Sequence, residues 1–240
     1  MNDIVLTKTI GDTTYSLDAK GRLLEAWGNY SPTVMKTGMN ATDFDEYVAK
    51  MTLHKQQVKA LERKTCSGPS SSMWGKVQYA TSYARGITSV STAGHGGFIL
   101  APTRNKEVHE AWRAANGQYE EDCHWAAVAI TFPDLFSDYE VESAIRTAKS
   151  WYPDEYTAAT GNPVSESESH VLQQRAAAER NKGKWIVISA VNDNGMVRCI
   201  ASLDGDRASS KLRTYLVPKD EYALPVGGFV IDEARHQQVA

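Results

Sequence analysis

Ile87-Thr88-Ser89-Val90-Ser91-Thr92-Ala93-Gly94-His95-Gly96-Gly97-Phe98-Ile99-Leu100 reads as two short strands joined by a glycine-rich turn. β-Branched and apolar residues fill both arms, and three glycines crowd one histidine between them, so the predicted local structure is a hairpin. Further along, Tyr119-Glu120-Glu121-Asp122-Cys123-His124-Trp125 sets three carboxylates, a thiol and an imidazole side by side. Strand patterns lie at both ends of the chain and helical patterns lie around this pair of motifs. The fold class predicted is therefore α+β: antiparallel strands at both ends around a central helical region with a Gly-rich hairpin.

Upstream, Ile4 to Ile10, Thr13 to Leu17 and Arg22 to Trp27 read as strands, with Gly11-Asp12 and Asp18-Ala19-Lys20-Gly21 as their turns. A helix over 42–63 follows, started by a weak capping box of Thr42 and Asp45. Phe44, Met51 and Val58 recur along it every seven residues, with Tyr47, His54 and Leu61 between them. That seam suits packing within its own domain, and it also offers a homodimer contact through the 42–63 helix. Ser67 to Ser72 is a loop, and Trp74 to Tyr83 is partly strand.

Downstream, the spacing predicts helices over 104–116 and 119–131, the second stopped by Phe132-Pro133, and another over 141–151. Gly161 to His170 is polar and expected to be mobile, and a short helix covers 172–180. Trp185 to Val191 and Met196 to Leu203 are strands joined at Asn192-Asp193-Asn194-Gly195, with a third at Leu212 to Val217. These elements group as 1–67, 68–160 and 161–240: N-terminal strands and helix, motif-bearing centre, and C-terminal β meander.

With 240 residues, 42% apolar and 23% charged, the chain can bury a full core and is not disordered. No apolar run reaches the length of a membrane span, and the N-terminus lacks the pattern of a secretory signal. Cys66, Cys123 and Cys199 are odd in number and widely spaced, which argues against a disulfide framework and a cysteine-rich zinc site. The expected setting is the cytoplasm, with no cofactor, no tightly bound metal and no membrane partner. Net charge is −3, yet residues 104–158 carry five basic and eleven acidic side chains. Such a centre is a poor surface for nucleic acid, so no direct nucleic-acid binding is expected; it is the pattern of a solvated acidic helix face, and it also suits a partner with a basic surface. Glu107, Glu110, Asp138, Glu140 and Glu142 are the candidate partner-binding residues.

Glycines beside His95 permit close backbone approach and positive φ, so the turn could carry a ligand-contacting imidazole, or could need glycine for its shape alone. If 119–131 is helical, Glu121 and His124 stand at i,i+3, a spacing found in carboxylate metal sites of helical bundles; one such pair does not make a site, and a charged helix start is the ordinary use. Cys123 beside an imidazole invites a thiol nucleophile, but three neighbouring carboxylates disfavour the thiolate and the residue lies on the apolar face. His95, Glu121, Cys123 and His124 are thus the candidates for catalysis in a small hydrolase or transferase. Trp74, Trp112, Trp125, Trp151, Tyr152 and Tyr156 could build a ligand pocket, but are read first as core packed against the hairpin.

Taken together, Trp74-Gly75, Gly86-Ile87, Val90-Ser91-Thr92, Gly94-His95-Gly96-Gly97, Arg104-Asn105, Tyr119-Glu120-Glu121-Asp122-Cys123, Trp125, Phe132-Pro133, Trp151-Tyr152-Pro153-Asp154 and Tyr156 resemble a domain-of-unknown-function family of phage- and plasmid-encoded proteins in proteobacteria. The resemblance covers residues 72–160 and carries no activity to any residue. It implies a setting in the bacterial host cell, where accessory proteins of mobile elements counter host defence. The function expected from it is an inhibitor of anti-CRISPR type that binds a basic nucleoprotein effector directly. The alternatives are the small enzyme above and a regulatory or structural phage protein.

Overall fold

Alternating apolar and polar residues at the N-terminus build a four-stranded antiparallel meander: β1 (Ile4–Ile10), β2 (Thr13–Asp18), β3 (Leu23–Trp27) and β4 (Thr33–Lys36). The first three strands are those predicted, and β4 is additional. This is a computed structural model that describes residues 3–239. Its chain divides into two compact units, Met1–Thr147 and Ala148–Ala240.

Helix α1 (Ala41–Ala60) covers one face of the meander. Phe44, Val48 and Met51, spaced for one helical face, pack with Tyr15, Leu17 and Leu23 in a buried cluster. The predicted heptad seam is thus used against the helix's own sheet at Phe44 and Met51. The cap differs from expectation. Asn40, not Thr42, is the N-cap: its side chain accepts from the Asp43 N–H at 3.0 Å, and Asp43 accepts from the Asn40 N–H at 3.0 Å. Thr42 is already helical, and Asp45 is paired with Lys8 at 2.7 Å. Asn40 and Asp43 thus close the box two residues before the expected pair.

The rest of the first unit holds β5 (Lys64–Thr65), β6 (Ser71–Ser72), β7 (Gly75–Lys76), β8 (Tyr79–Ala84), β9 (Ile87–Ser91), β10 (Gly96–Leu100), α2 (Pro102–Asn105), β11 (Gln118–Glu120), α3 (Trp125–Thr131) and the start of α4 (Asp138–Trp151). A five-stranded antiparallel sheet runs in the order β11-β10-β9-β8-β5. The predicted hairpin is its centre, with Gly96 opposite Ser91 and Leu100 opposite Ile87. Tyr83, Phe98 and Phe136 pack as an aromatic cluster with centroids 4.9, 5.3 and 5.7 Å apart. Ala126 to Ala129 of α3 are all buried.

Two predicted helices are corrected here. The stretch 104–116 is helical only in α2, and the chain then turns back on itself. Asn105 Nδ2 donates to the Ala114 carbonyl at 2.8 Å, Tyr119 Oη donates to Asn105 Oδ1 at 2.5 Å, and the Ala114 N–H donates to Tyr119 Oη at 3.2 Å. Arg113 donates to the carbonyls of Val108 and Lys106 at 2.8 and 2.9 Å. Side chains thereby satisfy backbone groups that a helix would have satisfied. In 119–131, the first residues form β11, because Phe98 and Ile99 pair with Tyr119 and Gln118. Helix begins only at Trp125.

In the second unit, α5 (Pro153–Thr160) ends at Gly161, whose φ of 74° makes a left-handed cap. Residues 161–170, expected to be mobile, are held by a reciprocal capping box of Ser165 and Glu168 and by a Lys149–Glu168 pair at 2.6 Å. Helix α6 (His170–Arg180) precedes an antiparallel sheet in the order β12 (Trp185–Asp193), β13 (Met196–Leu203), β14 (Leu212–Pro218), β15 (Gln237–Val239). Asn194 and Gly195, at φ 47° and 84°, supply the predicted hairpin turn. Val197, Cys199, Ala201, Tyr215, Val217 and Ile231 form the core. Trp151, expected in a core, is 48% exposed and lies 4.8 Å from the His170 ring.

Candidate functional site

The turn between β9 and β10 is closed by Thr92. Its N–H and hydroxyl both donate to the His95 carbonyl, at 2.8 and 2.7 Å, and its Oγ1 accepts from the His95 N–H at 3.2 Å. The His95 side chain is left exposed. Gly97, at φ 154°, is where glycine is needed: a Cβ there would stand 2.1 Å from the Tyr119 carbonyl oxygen and 2.6 Å from Trp74 Cη2. The glycine run therefore makes room for the Trp74 indole against the sheet. The Trp74 carbonyl lies beside the same turn, 3.4 Å from Thr92 Oγ1. The preceding residue is anchored too, since the Met73 N–H donates to Gln118 Oε1 at 2.8 Å.

Gly96 brings the two motifs together. Its carbonyl accepts from the Glu121 N–H at 3.1 Å, and the place of its absent Cβ lies 2.6 Å from Glu121 Oε2. The His95 turn and Glu121 are therefore neighbours across β10 and β11, and both side chains are exposed. Glu120 folds back to accept from the N–H groups of Asp122 and Cys123, at 2.5 and 3.3 Å, which shapes the tight turn before α3.

Cys123 and His124 are drawn elsewhere. His124 is the N-terminal flanking residue of α3; its ring lies 4.7 Å from that of Tyr119, and its Nε2–H donates to the Trp112 carbonyl at 2.8 Å. Cys123 is half-buried, and burial pushes its thiol above the ordinary value, with Glu120 and Asp122 adding to the effect. Such a thiol is a poor nucleophile at neutral pH. The helical i,i+3 relation expected for Glu121 and His124 is absent, because residues 121–124 form a turn. Among the described residues no group of three His, Cys, Asp or Glu side chains is placed to hold a metal ion.

The acidic candidates divide. Glu107 and Glu110 are exposed on the segment after α2, Glu107 beside Arg104 at 3.2 Å. Asp138 and Glu142 are exposed near the start of α4. Glu140 is turned inward: it accepts two bonds from Arg63, at 2.8 and 2.7 Å, and one from the Ser137 N–H at 2.8 Å. Burial alone would raise its carboxyl, but Arg63 and Ser137 outweigh that and hold it below the usual range. The Arg63 guanidinium is further stacked on Tyr83, 4.1 Å from the ring centroid. Glu140 is a clasp within the fold.

One grouping of residues has no signature in the sequence as a set. His54 Nδ1 lies 2.7 Å from Ser137 Oγ, and that hydroxyl lies 3.1 Å from Glu140 Oε2. Arg63, Glu140, Ser137 and His54 thus form one chain of hydrogen bonds, assembled from α1, the residue three beyond it and the start of α4. His54 was visible only as a member of the α1 seam.

Residues 67–182 match the family model of Domain of unknown function (DUF7007). The matched stretch contains the Gly-His-Gly-Gly turn, β11 and the whole 72–160 region on which the resemblance rests. No curated protein and no solved structure matches the chain. Within the DUF7007 region the two motifs are joined by backbone pairing and glycine packing, and His95 and Glu121 are their exposed side chains. Among the described residues no helix is long and apolar enough to cross a membrane.

Proposed function

We propose that this chain acts by binding, and that the acidic surface of the DUF7007 region engages a basic partner. The observation that carries this reading is the exposure of Glu107, Glu110, Asp138 and Glu142, in a stretch with a large acidic excess. Exposed carboxylates of one sign steer a basic partner and fix its orientation. The neighbouring motif supports the same reading. Its thiol is held protonated, His124 bonds a backbone carbonyl, and the glycines serve packing. In its finer form the proposal is an inhibitor of a host defence complex, of anti-CRISPR type, that occludes a basic nucleoprotein effector.

The test is an interference assay in a CRISPR-immune host with stability-matched variants. Joint reversal of Glu107, Glu110, Asp138 and Glu142 to lysine should abolish protection, while His95→Ala and Cys123→Ser singly should retain most of it. A binder spreads its affinity over a surface, whereas a catalyst loses everything with one side chain. An inactive, folded His95→Ala protein beside an active charge-reversed one would make this an enzyme built on His95 and Glu121.

A further inference from the structure

Between α1 and α4 runs a groove of about 370 Å³. Lys50, His54 and Gln57 contribute from α1, and Asp138, Tyr139 and Glu142 from α4. Both ends are bridged across the helices. At one end Gln57 Nε2 donates to Asp138 Oδ2 at 2.7 Å and the Asp138 N–H donates to Gln57 Oε1 at 3.1 Å. At the other end Lys50 pairs with Glu142. Tyr139 lies between, its ring 5.1 Å from that of His54.

The hydrogen-bond chain behind His54 decides what the groove presents. Glu140, paired with Arg63, is a carboxylate and can only accept, so Ser137 Oγ gives its one proton to it. Ser137 must then accept from His54, which places the imidazole proton on Nδ1. Nε2 is left as a lone pair, with no hydrogen-bond partner among the described residues, on a ring that lines the groove. The groove therefore offers a fixed acceptor, two carboxylates and an aromatic ring.

A cation already sits there. The Lys50 ammonium lies 5.5 Å from the centroid of the Tyr139 ring while pairing with Glu142. The side chains of that pair are 41% and 53% exposed, so the pair contributes little and Lys50 can rotate into solvent. A guanidinium fits the vacated place better than an ammonium. Its plane stacks on Tyr139, its fork pairs with Glu142 in two parallel bonds, and a further N–H reaches an acceptor such as His54 Nε2. We propose that the α1–α4 groove receives an arginine side chain of the basic partner, with Lys50 as the internal occupant it displaces. This rests on the binding reading above and names the partner's chemistry.

The test uses the full chain with its histidines isotope-labelled, titrated with a tetra-arginine peptide and, separately, a tetra-lysine peptide of equal charge. Tetra-arginine should shift the His54 imidazole resonances saturably, and tetra-lysine should bind about tenfold more weakly. Glu142→Gln should weaken arginine binding about tenfold. Lys50→Met, which keeps the apolar stem and removes the competitor, should strengthen it several-fold. Equal affinity for the two peptides, an unmoved His54 signal, or weaker binding by Lys50→Met would each overturn the assignment. Its failure is separable from that of the binding reading. Protection of phage by a protein whose groove ignores arginine sinks only the groove, and arginine seated in the groove of a protein that protects nothing sinks only the reading.

Discussion

Replacing Gly97 by alanine should damage the first unit far more than replacing Gly94 in the same turn. The Gly97 Cβ would meet the Tyr119 carbonyl oxygen at 2.1 Å, a backbone atom fixed by the pairing of β10 with β11, and Trp74 carbons at 2.6 and 3.0 Å. Its φ of 154° adds a conformation that side chains other than glycine's adopt at a cost of about 1 to 3 kcal/mol. Overpacking adds about 1 to 3 kcal/mol, for a total of about 2 to 6 kcal/mol. At Gly94 no heavy atom of the described residues lies within 4 Å of an added Cβ, so the expected change is below about 0.5 kcal/mol. Gly96 should fall between. An added Cβ there meets the Val90 carbonyl at 2.7 Å, while its other close neighbour, Glu121 Oε2, can swing away. Thermal unfolding followed by tryptophan fluorescence reads mainly this unit, which holds four of the six tryptophans. Gly97→Ala should lower Tm on the order of 10 °C. A Gly97→Ala protein melting within about 2 °C of Gly94→Ala would refute the claim that the glycine run exists to seat Trp74.

Acid should weaken the fold in two stages. Burial holds His54 below its ordinary 6.5, so as pH falls through that value the unfolded chain takes up a proton before the folded one does, and stability drops. Glu140 is held low by Arg63, so its contribution is present above the usual carboxylate range and is lost as pH falls through that range to its folded value. Glu140→Gln should cost about 1 to 3 kcal/mol at neutral pH and flatten the lower stage; an unchanged acid limb in urea titrations would count against the clasp. Thiol labelling should be graded. Cys199, fully buried and pushed up to about 11 by burial, should stay silent until unfolding, and Cys123 should label more slowly native than in urea. A Cys123 that labels faster in the native protein would restore it as a nucleophile.

What could be read in advance was whatever local chemistry dictates. Asn194-Gly195 forces a hairpin turn because both residues adopt positive φ, and Gly96-Gly97 marked a close approach whose partner, Trp74, only the fold supplies. The α1 stripe was legible because Phe44 and Met51 keep helical spacing. The failures share one cause. Of the predicted helix 104–116, residues 106–116 are not helical: Asn105 and Tyr119 bind the Ala114 backbone from either side of them, and Tyr119 is itself claimed by β10. Likewise, nothing in the spacing of residues 54, 63, 137 and 140 relates them, because tertiary contact alone makes their hydrogen-bond chain. Glu140 was counted among surface charges for the same reason.

The neck formed by Asn105, Ala114 and Tyr119 also bears on how this fold can change. Below it the chain is pinned by Val108 and Trp112, both buried, while His109, Glu110 and Ala111 form an open tip between them. Extra residues inserted at that tip would leave the neck and both anchors in place. Each doubling of the loop would add only about 0.6 kcal/mol of closure entropy. The tip is thus a permissive insertion point beside the exposed Glu107 and Glu110, where length can be added, by evolution or by design, without disturbing the strand that carries the glycine turn.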